Sequence, residues 1–257
     1  VDLVHRLAGI SDVFLTNKLP GVRSRLRIDV DDIRAANPQI IYVRGTGQGD
    51  RGPDADKGSY DSLAFWARAG IAVGSQRPEY DLPPPPPSPG FGDSIGAMTI
   101  AGGIMGALFH RERTGTAREV DVSLLGTGLW SMGQAVALGE VLGVPWRAPA
   151  ADFSMNPLVA NYRTADDRWL SLTCLQAGRY WAEFCGIIDR PELATDERFA
   201  THEGLVANSP AAVAILQEVF AAEPLDTWRA RLEPFTGQWA VVQDTAEAAR
   251  DPQTEAN

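Results

Sequence analysis

The stretch DVFLTNKLPGVRSRLRIDVDDIRAANPQIIYV, residues 12–43, decides the fold class. The apolar run Val13-Phe14-Leu15, bounded by Asp12 and Asn17, suits a buried strand. Residues 26–36 read as a helix that stops ahead of Asn37-Pro38, because proline disfavours helix in the residue before it. Gln39-Ile40-Ile41-Tyr42-Val43 reads as a second strand. Residues 1–10 form an amphipathic pattern, with Val1, Leu3, Val4, Leu7 and Ala8 apolar. Helix, strand, helix, strand at this spacing means parallel βαβ units and an α/β fold. Two parallel strands alone leave their faces and edges bare, so further strands are expected to be missing from this chain or supplied by a partner.

Downstream, residues 45–58 form a polar, glycine-rich loop after the second strand. A dinucleotide motif fails here, because Asp50 stands where the third glycine belongs and no helix opens at once. No nicotinamide site is expected, and a tight loop on the substrate side fits better. Residues 59–69 read as helical. Five consecutive prolines, Pro83 to Pro87, favour extended polyproline geometry in a surface loop. A long helix is expected over 94–113, a strand over 118–122, a helix over 124–142, and a linker over 145–151. The pattern then changes. Residues 158–162 and 169–174 flank the turn Ala165-Asp166-Asp167-Arg168 as a hairpin, and helices follow, one opened by Ser209-Pro210. Residues 1–150 are thus expected to form a large domain with linker helices. Residues 155–245 form a smaller α+β domain, with Trp169, Trp181, Trp228 and Trp239 in its core and hinge.

The 257 residues carry a formal charge of −10, which argues against a nucleic-acid partner, since such proteins normally present a basic face. Two cysteines, Cys174 and Cys185, are too few for a disulfide framework and read as buried thiols. No run reaches the roughly 18 apolar residues of a membrane span, and no signal segment opens the chain. A cytoplasmic protein is expected.

The richest segment for chemistry is Gly90-Phe91-Gly92-Asp93-Ser94-Ile95-Gly96-Ala97-Met98. A carboxylate stands at a helix entrance followed by small residues, among them Gly96, Gly102, Gly103 and Gly106. Glycine inside a helix costs on the order of 1 kcal/mol against alanine, so four of them imply close approach by another backbone or a ligand. The positive end of the helix dipole favours negative charge at Asp93, and a desolvated carboxylate can serve as nucleophile or base. An aspartate at such a place is equally an ordinary N-cap.

Residues 12–22, Arg25-Leu26 and residues 37–42 resemble the class III CoA-transferase family, which includes formyl-CoA transferase, carnitine CoA-transferase and α-methylacyl-CoA racemase. Gly58-Ser59-Tyr60-Asp61, Gly92-Asp93, Arg113-Thr114-Gly115, Val120-Asp121-Val122-Ser123 and Asp251-Pro252-Gln253 extend the resemblance in colinear order. It implies a Rossmann-like large domain, incomplete here, joined by long helices to a small domain, with residues 246–257 starting the return to the large one. It implies Asp93 as nucleophile on an acyl-CoA thioester, through an aspartyl anhydride and an aspartyl-CoA thioester, with no metal. Asn17, Lys18, Pro20 and Arg25 would meet coenzyme A, cations suiting its phosphates. Tyr60, Asp61, Gly92 and Gly96 would support the substrate. Lys18-Leu19 departs from the aromatic and arginine common in the family. The glycine-rich loop of formyl-CoA transferases is missing near Phe153-Ser154-Met155-Asn156, which argues against oxalate and formate.

The racemase branch would need a histidine where Tyr60 stands, and a phenol with a reference pKa of about 10 is a poor base. The readings to be separated are therefore transfer, racemisation, and a non-catalytic scaffold in which Asp93 only caps a helix. The resemblance further implies an interlocked homodimer acting on an acyl-CoA and a carboxylic acid. It also implies that the chain is the middle of a longer protein and is inactive by itself.

Overall fold

The computed structural model describes residues 1–151 and 153–257 as two compact units, Val1–Ala150 and Ala151–Asn257. In the first, α1 (Asp2–Ala8) precedes β1 (Val13–Thr16), α2 (Pro20–Leu26), α3 (Val30–Ala36) and β2 (Ile41–Thr46). A π-helix, Ser62–Arg68, and the short α4 (Ile71–Gly74) follow, then α5 (Phe91–Thr114), β3 (Glu119–Ser123), α6 (Leu124–Ser131) and α7 (Gly133–Leu142).

The sheet has three parallel strands in the order β1-β2-β3, with Val13 opposite Ile41 and Val43 opposite Val120. The two-stranded expectation is corrected. The run at 118–122 returns through α5 to pair with β2, which makes β2 the central strand and buries Ile41, Tyr42 and Val43 on both faces. On one face Val4, Ile28, Ile33 and Phe14 pack with Ile40 and Tyr42. On the other, Ile100, Ile104 and Ala107 of α5 meet Ile41 and Val43.

The single helix expected over 26–36 is two. Arg27 takes a left-handed conformation (φ 53°) that ends α2, and Asp29 opens α3 with a capping box completed by Asp32. The expected helix over 124–142 likewise breaks at Met132 into α6 and α7. The segment before α5 is irregular, with turns near residues 78–79 and 89–90, and Pro84 accepts a hydrogen bond from the Trp66 indole at 2.8 Å. By length and mean hydropathy (24 residues, 1.2) α5 would suffice to cross a membrane. Here its inner side lies on the sheet, while Met98, Met105 and Phe109 on its outer side are exposed.

The second unit carries the antiparallel hairpin β4 (Val159–Arg163) and β5 (Trp169–Thr173), with Asp167 left-handed in the turn. Helices α8 (Ala177–Ile187), α9 (His202–Ala207), α10 (Ser209–Ala221) and α11 (Leu225–Leu232) follow, then β6 (Trp239–Val241), which pairs with β5, and the short α12 (Thr245–Ala248) and α13 (Pro252–Glu255). Asn208, rather than Ser209, is the N-cap of α10, and the buried Ser209 hydroxyl bonds instead to Ser154 at 2.8 Å. Trp181 and Trp228 are buried, their indoles donating to the Leu193 and Phe220 carbonyls, whereas Trp169 is 43% exposed. Both cysteines are buried free thiols.

Candidate active site

Helix α5 begins three residues before its expected start. Gly90, in a left-handed conformation (φ 69°), precedes it, and Phe91 packs edge-on against Phe65 and Trp66 at 6.2 and 6.5 Å. A Cβ on Gly92 would lie 2.5 Å from the Phe65 ring, so only glycine fits there. The Gly92 amide donates to Asp61 at 3.2 Å, and the other oxygen of Asp61 accepts from the Ser62 amide at 2.7 Å. Asp93 is therefore the third helical residue and caps nothing. Its exposed carboxylate makes no hydrogen bond or ion pair with any described residue.

Asp93 lines a cleft of about 420 Å³ at the carboxyl ends of the three strands, the edge where open parallel sheets take ligands. Asn17 enters from the loop after β1, Gly45, Thr46 and Gly47 from the end of β2, and Val122 and Leu124 from the β3–α6 junction. Ser59 and Tyr60 form another wall, and Gly96, Ala97 and Ile100 continue that of α5. Tyr60 is 77% exposed. Added Cβ atoms would press on Ser59 at Gly47, and on Leu124 at Gly96 at 3.3 Å. Gly103 is held against Val120 in the same way, but Gly102 and Gly106 have nothing within 4 Å. Close packing thus accounts for only half of the glycines that suggested it.

Asn17, Tyr60, Asp93 and Gly96 therefore share one cleft. Lys18 lies on an adjoining hollow that shares Asn17, Gly45 and Ile100 with it. Pro20 opens α2 and Arg25 is exposed on it, and neither lines the cleft or that hollow. Asp61 and Gly92 act behind the cleft, on the first turn of α5. A further hollow of about 520 Å³, beside Met132 and Trp146, does not include Asp93. His5 bonds to the Arg27 carbonyl, His110 accepts from Arg118 at 3.0 Å, His202 opens α9, and none lines the cleft. Among the described residues no three of His, Cys, Asp and Glu converge as metal ligands.

Sequence reasoning missed Arg23, which is 4% exposed. Its Nε donates to Asp29 at 2.9 Å, Nη2 to Asp50 at 2.9 Å and Nη1 to the Lys18 carbonyl at 3.1 Å. Burial pulls its pKa down, but the bonds to Asp29 and Asp50 outweigh that, and the net shift is upward. Beyond Asp50 the network runs through Arg44 to Asp121 and Glu119, and from Glu119 to Arg34. Bonding to Asp121 raises the Arg44 pKa further.

A family model described as CoA-transferase family III matches residues 1–257. The chain is 28% identical over 258 residues to an (R)-2-hydroxy-4-methylpentanoate CoA-transferase of Clostridioides difficile, with 100% of this chain and 63% of that protein covered. It is 31% identical over 251 residues to an acetyl-CoA:oxalate CoA-transferase of Acetobacter aceti, with 96% and 62% covered. The crystal structure of a CaiB/BaiF family protein from Brucella suis superposes with a TM-score of 0.86 at 25% identity, covering 99% of this chain and 66% of that one. The chain thus spans about three fifths of the length of these curated relatives.

Proposed function

The chain belongs to CoA-transferase family III, and from that premise we infer that its parent protein moves coenzyme A between an acyl-CoA thioester and a carboxylic acid, with Asp93 as nucleophile. One observation carries the reading: an unpartnered carboxylate on the first turn of a long helix faces a cleft at the carboxyl ends of a parallel sheet.

The Asp93 carboxylate attacks the thioester carbonyl, the C–S bond breaks, and a mixed anhydride and CoA thiolate result. The thiolate then attacks the aspartyl carbonyl, the donor acid leaves as its carboxylate, and an aspartyl-CoA thioester remains. The acceptor carboxylate attacks that thioester and releases thiolate. Finally the thiolate takes the acyl group of the new anhydride and frees Asp93. Each step exchanges one acyl bond for another, with no net electron or proton change. Gly47 and Gly96 line the cleft, their bare Cα atoms letting Ser59 and Leu124 close against them, and a first-turn amide such as that of Asp93, with no intrahelical partner, suits a developing oxyanion. The family is also the ground for proposing an interlocked homodimer in which both subunits build each site.

The test uses the full-length protein with labelled acids and candidate acyl-CoAs. Label should pass from acid to acyl-CoA, and mass spectrometry should find a CoA adduct on the peptide bearing Asp93. Exchange of α-deuterium without exchange of acid would overturn transfer in favour of racemisation. The placement of Tyr60 on the cleft, where racemisation would need a histidine, argues against that outcome.

A further inference from the structure

We propose that Arg23 is a positioning residue that sets the separation of the two loops bordering the Asp93 cleft. This rests on reading the cleft as the acyl-CoA site. The loop after β1 supplies Asn17 to the cleft, and the segment leaving β2 supplies Gly45, Thr46 and Gly47. The same buried guanidinium grips both. It holds the Lys18 carbonyl on the first and the Asp50 carboxylate on the second, while Asp29 fixes its third nitrogen. A planar guanidinium presents donors in a fixed fork, so three acceptors on one group have their mutual distances set by its shape. An ammonium is a compact point charge on a flexible stem and imposes no such geometry. The loop around Asp50 is glycine-rich, with Gly49 and Gly52 at positive φ (104° and 97°). Its backbone thus has freedom that anchors such as Arg23, beside the Gly49 amide bond to the Thr46 hydroxyl, remove.

In the full-length protein, Arg23→Lys keeps a cation but not the fork. Asp50→Ala removes one end of the clamp and leaves Arg23 bonded to Asp29 and Lys18. Each should raise KM for acyl-CoA about tenfold while kcat stays within about twofold, because Asp93 itself is undisturbed. The double variant should bind no worse than Arg23→Lys alone, since both act through one contact. Calorimetric Kd for free coenzyme A, measured without turnover, should weaken in step. Glu119→Gln, which alters the same charge network but touches neither loop, should lower Tm without changing KM.

Unchanged KM and Kd in both variants would overturn the proposal. So would additive effects, a loss confined to kcat, or an equal rise of KM in Glu119→Gln. Asp93→Asn separates this proposal from the one beneath it: retained exchange in that variant sinks the nucleophile, whereas the affinity losses of Arg23→Lys would still stand.

Discussion

The carboxylate of Asp61 accepts the amide proton of Gly92 across 3.2 Å, one residue ahead of Asp93. The same side chain caps the π-helix through the Ser62 amide. One acid therefore starts two helices and fixes how the second presents its own acid to the cleft. Asp61→Ala should cost about 1 kcal/mol of stability, the usual loss for a capping aspartate. It should also lower kcat more than it raises KM, which steady-state kinetics beside a urea titration would reveal.

Asp93 should behave in the opposite way. Its side chain bonds to no described residue, so Asp93→Asn should change stability by less than about 0.5 kcal/mol, as at ordinary surface positions. Acid exchange should fall by about a thousandfold or more, the scale seen when a covalent nucleophile is removed. A purely capping aspartate would give the reverse pattern.

The glycines of α5 separate in the same kind of experiment. Gly92→Ala forces a methyl group to within 2.5 Å of the Phe65 ring and should destabilise by about 1–3 kcal/mol, as overpacking does. Gly102→Ala meets nothing within 4 Å and should stabilise by about 0.5–1 kcal/mol through helix propensity. Thermal melts of the two variants should move in opposite directions.

Alkaline pH should loosen the protein. Burial pushes the Cys185 thiol up to about 12 and the Tyr42 phenol up to about 12, and raises Cys174 and Tyr162 as well. In the unfolded chain such groups titrate near about 8.5 and 10. Above those values the unfolded chain has lost protons that the folded one keeps, so stability is whole below about pH 8.5 and declines as pH climbs towards 12. Urea midpoints should fall across that window, and neither thiol should react with a disulfide reagent until the chain is unfolded.

The local patterns that were legible are those in which neighbours in sequence decide the outcome. The apolar runs of β1 and β2 and the hairpin around Ala165-Asp166-Asp167-Arg168 show in alternation and turn residues alone. The junction at Arg27–Asp29 did not, because helix-compatible composition hides a left-handed residue and a capping box. The start of α5 at Phe91 depends on Phe65 and Trp66, some 25 residues earlier. The pairing of β3 with β2 is set across the whole crossover. In the candidate site, Asp93, Asn17, Tyr60 and Gly96 stood out by residue type and resemblance. Arg23 drew no reading, since its partner Asp50 lies 27 positions away and no local periodicity reveals a buried arginine. The cleft residues Val122, Leu124 and Ile100 are ordinary apolar positions until the fold brings them beside Asp93.

The buried apolar residues are distributed unequally. In residues 151–257 they form one continuous aromatic-rich cluster, in which Tyr162, Phe184 and Trp228 each pack against Phe220. In residues 1–150 the described core is divided into three smaller clusters. Amide protons in the β4–β5 hairpin should therefore exchange with solvent only through one concerted opening, while those of residues 1–150 escape piecemeal. The unit that carries the Asp93 cleft is the one built to open in parts.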